Sequence, residues 1–154
     1  TTTSQQHNWI LFRYAEILLN YAEAMVNAYG DPDYTGSYSL SARDAVNQVR
    51  NRGDVKMPAY PTDMKKDAFL KRLRNERRVE FAFEGQRFWD LRRWKELDNM
   101  QNIYKVKVVK QTDGTIQYTK VLHATYNIQD KMYFYPISNT ELFKNHKLVQ
   151  NTGW

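Results

Sequence analysis

The chain has 154 residues, of which 42% are apolar, 26% charged and 14% aromatic, with a formal charge of +6. This composition suits one domain with a sizeable core and excludes collagen, low-complexity linkers and wholesale disorder. There is no cysteine, so a disulfide scaffold, a cysteine zinc site and a cysteine nucleophile are excluded, and no run of about 18 apolar residues reads as a membrane span.

The chain starts with Thr1 rather than Met, and its first ten residues are polar, without a hydrophobic signal core. It is therefore expected to be an excised or processed piece. Residues 9–29 read as a helix rich in Ala, Leu, Glu and Met, with Tyr14, Ile17, Leu18, Tyr21 and Met25 spaced by three and four. Gly30 and Pro32 stop it. A polar and aromatic loop follows, carrying Tyr34, Gly36 and Tyr38. Ser41 can cap a second helix over 42–50, with Asp44 completing a weak capping box and Ala42, Ala45, Val46 and Val49 forming its apolar face. This pair, residues 9–53, is similar to a tetratricopeptide pair, although the connecting loop is long and no second copy follows.

Residues 63–97 read as one long amphipathic helix. At 100° per residue, Phe69, Leu70, Leu73, Phe81, Phe83, Phe88, Leu91 and Trp94 fall within an arc of roughly 160°. Gly85 in its middle should weaken it by about 1 kcal/mol relative to Ala and suggests close packing or a bend. Residues 103–122 alternate as a β-hairpin, with Asp113-Gly114 a strong two-residue turn signal. Residues 131–154 form an irregular tail with a short helical turn from Asn139 or Thr140. The expectation is a single, mainly α domain over 1–154.

The positive charge is concentrated. Eleven basic residues against five acids lie between positions 65 and 95, which carries the whole excess. Such a run could neutralise phosphates, with Trp and Phe stacking on bases. The acids interrupting it, and the aromatics on its apolar arc, instead point to the solvated face of an amphipathic helix, so no nucleic-acid partner is expected. Arg77, Glu80, Glu84 and Arg87 are spaced to lie on one side of that helix. Two carboxylates one turn apart evoke acid–base chemistry. An arginine one turn from each favours a structural ion-pair seam instead, and no catalytic residue is assigned.

His7, His123 and His146 are widely separated, and Asp31, Asp33 and Gly36 only loosely evoke a calcium loop broken by Pro32. No metal site and no cofactor are expected. Tyr34, Tyr38, Tyr60, Tyr104, Tyr118 and Tyr126 fall outside the helices. They read either as a platform on which sugar rings stack or as loop packing and cross-strand pairs. Tyr34, Tyr38 and Tyr60 are the candidate ligand-binding residues.

Three blocks, in order, resemble the C-terminal part of the RagB/SusD family of outer-membrane nutrient-uptake lipoproteins of Bacteroidetes. The first is RYAEILLNYAEA at 13–24 with VNQVRNRG at 46–53. The second is NERRVEFAFEGQRFWDLRRW at 75–94. The third is YPIS at 135–138 with Asn145 and QNTGW at 150–154. Ser138, His146 and Thr152 depart from prolines expected in the third block, which bears on the rigidity of the tail. The resemblance implies a mainly helical fold with tetratricopeptide-like pairs and no catalysis. It also implies binding of oligosaccharides, sometimes peptides, and their delivery to a TonB-dependent, SusC-like transporter. The protein would sit on the cell-surface side of the outer membrane, lipid-anchored through an upstream segment. Most of the ligand surface would lie in that upstream part. The present chain would be mostly scaffold, or alternatively a segment docking the transporter or the upstream half without touching ligand.

Overall fold

The computed structural model describes residues 10–53 and 55–154. Their packing falls into two compact units, one ending at Phe83 and one starting at Glu84. The division lies inside the segment read from the sequence as one helix of one domain. His7, and Trp9 at the expected start of the first helix, lie outside the described residues.

The first unit is built from α1 (Tyr14–Tyr29), α2 (Ala42–Arg50) and α3 (Lys66–Glu80). Gly30, left-handed at φ 77°, closes α1 by donating its N–H to the Val26 carbonyl. Ser41 and Asp44 form the expected capping box on α2: the Ser41 hydroxyl oxygen accepts from the Asp44 N–H, and the Asp44 carboxylate accepts from the Ser41 N–H. α1 packs against both α2 and α3. Leu19, Ala22, Val26, Ala42, Ala45, Val46 and Phe69 are fully removed from solvent. The alanines let the helix backbones approach, and each large apolar side chain contributes about 1.5–3 kcal/mol by leaving water.

Of the five residues singled out by spacing in α1, Leu18 and Met25 are buried and Tyr21 packs against the core. Ala15, Leu18, Leu19, Ala22, Met25 and Val26 face the core, whereas Tyr14 and Ile17 are exposed. The helix is apolar on more than one side, so periodicity alone did not choose. Packing against α2 and α3 selected the side that carries Ala15 and Ala22 together with Leu18, Leu19, Met25 and Val26.

The expected helix over 63–97 is divided. α3 ends at Glu80, residues 81–85 form a turn, and α4 (Gln86–Arg93) follows. Phe83 and Gly85 both take positive φ, 67° and 77°, which a continuing right-handed helix forbids. Phe81 turns into the core with the Arg13 and Arg77 guanidiniums at 4.6 and 5.1 Å from its ring centroid, while Phe83 is fully exposed. Gly85 supplies the left-handed residue that opens α4 at little steric cost.

The second unit holds α4, an antiparallel hairpin of β1 (Asn102–Lys110) and β2 (Ile116–Thr125), and α5 (Asn139–Lys144). The hairpin turn is longer than the two residues expected. Gln111 donates to the Thr115 carbonyl at 2.8 Å and Gly114 to the Gln111 carbonyl at 3.0 Å. Gly114 is left-handed at φ 86°, the position a three-residue loop reserves for glycine. The register shifts between Ile103 and Tyr104, where His123 is left over as a bulge.

The tail is irregular apart from a 3-10 turn at Asp130–Tyr133 and α5, but it is pinned. The Gln150 side-chain amide exchanges hydrogen bonds of 2.8 and 2.9 Å with the Ile137 N–H and carbonyl. The Asn151 amide donates to the Tyr135 carbonyl at 2.6 Å, and the Trp154 indole N–H lies 3.0 and 3.1 Å from the Lys131 and Phe134 carbonyls. These bonds supply restraint at a segment lacking the expected prolines.

Candidate functional site

The α1–α2 loop carries the most developed aromatic surface of the first unit. Tyr29 ends α1, and Tyr34 stacks on it with ring centroids 4.2 Å apart and planes at 22°. Tyr38 tilts against Tyr29 at 6.1 Å, and the two hydroxyl groups share a hydrogen bond of 3.2 Å. That bond to Tyr38 raises the Tyr29 phenol above its ordinary pKa. All three rings remain exposed, at 44%, 39% and 47% for Tyr29, Tyr34 and Tyr38.

The loop is held from beneath. Tyr34 and Tyr38 donate their backbone N–H groups to the Asp31 and Thr35 carbonyls at 3.2 and 2.8 Å. The Asp33 carboxylate receives a forked pair from Arg43, 2.6 Å from Nε and 2.9 Å from Nη2. This pairing lowers the Asp33 pKa. Arg43 itself is buried and also donates to the carbonyls of Pro61 and Met64, tying the loop to the segment before α3. Gly36 lies against Tyr34: a Cβ there would meet the Tyr34 hydroxyl oxygen at 2.5 Å. Asp31 and Asp33 are thus used in the loop, with Asp31 Oδ1 accepting the Asp33 N–H at 3.0 Å. Among the described residues no three metal-ligating side chains gather.

The structure separates the three candidate tyrosines. Tyr34 and Tyr38 share the platform. Tyr60 is buried against Phe69 in an edge-to-face pair, centroids 5.6 Å apart, and its hydroxyl donates to Glu76 at 3.2 Å. The Arg50 and Arg72 guanidiniums lie 5.0 and 4.6 Å from its ring centroid, and burial pushes its phenol pKa well up. Its ring therefore faces protein. Tyr29, which the sequence reading took as the end of a helix, completes the platform. Its place one residue before a helix-stopping glycine is the signal that could have found it.

The expected Arg77, Glu80, Glu84, Arg87 seam does not share one helix. Arg77 and Glu80 lie on α3, Glu84 in the turn and Arg87 on α4. Arg77 is buried and donates to Asn20 at 2.6 Å. The Glu80 carboxylate accepts from Arg13 and from Arg52. The basic run is likewise divided between the helices, and Arg72, one of its members, lies over Tyr60. In the second unit Tyr104 and Tyr118 are on the hairpin, with Lys120 Nζ 4.0 Å from the Tyr104 ring centroid. Tyr126 follows it and donates its N–H to the Gln101 carbonyl at 2.7 Å.

The stacked Tyr29–Tyr34 pair with Tyr38 tilted beside it offers apolar ring surface and hydroxyl groups together, which suits a ring with one apolar side and polar edges. No helix among the described residues is long and apolar enough to cross a membrane.

The chain is similar to the SusD-like protein P38 of Formosa agariphila, 37% identical over 90 residues, covering 54% of this chain and 16% of that protein. It is also similar to a crystal structure of a SusD-like protein from Bacteroides fragilis, with a TM-score of 0.77 and 34% identity over 96% of this chain and 26% of that one. The chain thus spans about a quarter of the solved relative's length and less of the other's. The model of the SusD family matches residues 1–154, and the chain belongs to that family.

Proposed function

We propose that this chain is the largely scaffolding part of a protein that captures oligosaccharides and passes them to a TonB-dependent, SusC-like transporter at the outer membrane, facing outward. Membership of the SusD family supports the general role. The observation that carries a sugar contact within this chain is the Tyr29–Tyr34–Tyr38 platform, three exposed rings on a loop clamped by Arg43. The rest of the first unit serves to hold that loop, and no chemical step is part of the reading.

The test is calorimetry of the 154-residue chain against a panel of glycans at two salt concentrations. Salt-insensitive binding to one glycan, weakened at least tenfold in Tyr34→Ala and Tyr38→Ala, is the expected result. No binding by a chain shown folded by circular dichroism removes the sugar contact from this segment.

A second reading is favoured by the apolar surface each unit leaves uncovered. Tyr14 and Ile17 are exposed on α1, and Tyr104, Val106, Val108, Tyr118 and Leu122 share one exposed face of the hairpin. In this reading those faces dock the remainder of a longer protein or the transporter. Self-association of the isolated chain that is abolished by Val108→Lys together with Tyr118→Lys is its signature, and a strictly monomeric chain counts against it.

A further inference from the structure

An open groove of about 770 Å³ runs along α2, lined by Asp44, Asn47, Gln48 and Asn51 with Leu40, Met57 and Ala59. The four polar residues fall at spacings of three and four, so they share one helix face over about 10 Å. Asp44, Gln48 and Asn51 are exposed. Asn47 is oriented by its own fold: its Oδ1 accepts the Tyr60 N–H at 2.8 Å, which leaves its NH2 as the donor toward the groove. Asp44 is occupied by the Ser41 hydroxyl at 2.6 Å. Among the described residues no cationic side chain lines the groove.

This lining selects a ligand class. Without a cation it does not attract phosphate, sulfate or carboxylate groups. Gln48 and Asn51, each able to donate and to accept, beside the Asn47 NH2 donor, match groups that do both, which are hydroxyls. The apolar rim of Leu40, Met57 and Ala59 can meet the C–H face of a ring. Leu40 is also the last residue of the loop that carries Tyr34 and Tyr38, and its carbonyl is held by the Tyr21 hydroxyl at 2.5 Å. Platform and groove are therefore neighbours along one fixed loop.

We propose that the α2 groove is a second subsite, taking a neutral, hydroxyl-rich oligosaccharide whose adjoining ring stacks on the tyrosine platform. The inference rests on the glycan-capture reading above and adds to it the ligand's charge class and the residues that contact its hydroxyls. Gln48 and Asn51 are the specificity-determining contacts. Asn47 is a positioning residue because it also holds Tyr60.

The test titrates the isotope-labelled 154-residue chain with neutral oligosaccharides (maltoheptaose, cellohexaose, laminarihexaose and xylohexaose), with polygalacturonate as an anionic control and with an uncharged Ser/Asn-rich peptide. Side-chain amide resonances of Gln48 and Asn51 should move together with Tyr34 and Tyr38 for one neutral glycan. Gln48→Ala and Asn51→Ala, both exposed and expected to fold, should each weaken it by about 3- to 10-fold, the loss of one hydrogen bond. Tyrosine shifts with a silent groove and unchanged affinity in both variants overturn the subsite and leave glycan capture standing. A groove that answers only to polygalacturonate, or only to the peptide, overturns the ligand class. Silence of both regions to every glycan overturns the subsite and the local sugar contact together.

Discussion

Tyr34 lies nearly flat on Tyr29, with ring centroids 4.2 Å apart and planes at 22°. One ring comes from the last turn of α1 and the other from the loop beyond it. The pair therefore records how tightly the chain reverses after Gly30. Tyr38 joins through its hydroxyl, so the three rings form one surface rather than three separate exposures.

Gly36 underwrites that surface. It has φ 52°, and an added Cβ would stand 2.5 Å from the Tyr34 hydroxyl oxygen. Gly36→Ala should cost about 1–3 kcal/mol from the backbone alone and displace the Tyr34 ring. Urea unfolding should show an earlier midpoint, and the Tyr34 ring resonances should lose their stacking shift. An unchanged ring environment would mean the loop has room that the geometry does not show.

The Asp33–Arg43 pair makes the loop sensitive to acid. Arg43 lowers the Asp33 pKa in the folded chain, so its contribution is present above the unfolded carboxylate value near 3.9 and is lost as pH falls through the lower folded value. Asp33→Asn should destabilise the chain at pH 7, and the gap between variant and wild type should narrow below pH 4. The Asp33 side chain is half exposed, which keeps the effect modest. Parallel urea midpoints at pH 7 and pH 3 read the difference, and a constant gap would contradict it.

Glu80 joins Arg13, just before α1, to Arg52, just after α2, and is itself 11% exposed. Glu80→Ala would remove the carboxylate that the two guanidiniums share, while Arg13 keeps its bond to the Glu80 carbonyl. A loss of about 1–2 kcal/mol is expected, read as a shift in the unfolding midpoint. Arg52→Ala should cost less, since Arg13 still pairs with the carboxylate. Equal losses from the two changes would assign the whole effect to Arg52.

The break after α3 can be tested from both sides. Phe83 is a fully exposed non-glycine residue at φ 67°, and Gly85 has φ 77° with open space where a Cβ would go. Phe83→Gly should leave stability unchanged or raise it by up to about 1 kcal/mol, because relieved strain is offset by added chain entropy. Gly85→Ala should lower it by about 1 kcal/mol or more. Stabilisation by Gly85→Ala would indicate that a continuous helix is readily reached.

Helices and hairpin, the Ser41 capping box and, through three ordered blocks, the resemblance to the family were legible along the chain. These are local signals: a cap, an alternation or a motif is complete within a few residues. The sequence also marked Tyr34 and Tyr38, because tyrosines in a polar loop stand out. Tertiary structure decided the rest. It chose which apolar residues of α1 are buried, Ala15, Leu18, Leu19, Ala22, Met25 and Val26 rather than Tyr14 and Ile17, since that choice depends on where α2 and α3 pack. It divided the long helix, where Phe83 and Gly85 take positive φ and Phe81 lies buried against the Arg13 and Arg77 guanidiniums. It buried Tyr60 against Phe69 and brought Tyr29 against Tyr34 and Tyr38, because both outcomes depend on how the chain folds back through irregular segments whose path periodicity does not specify.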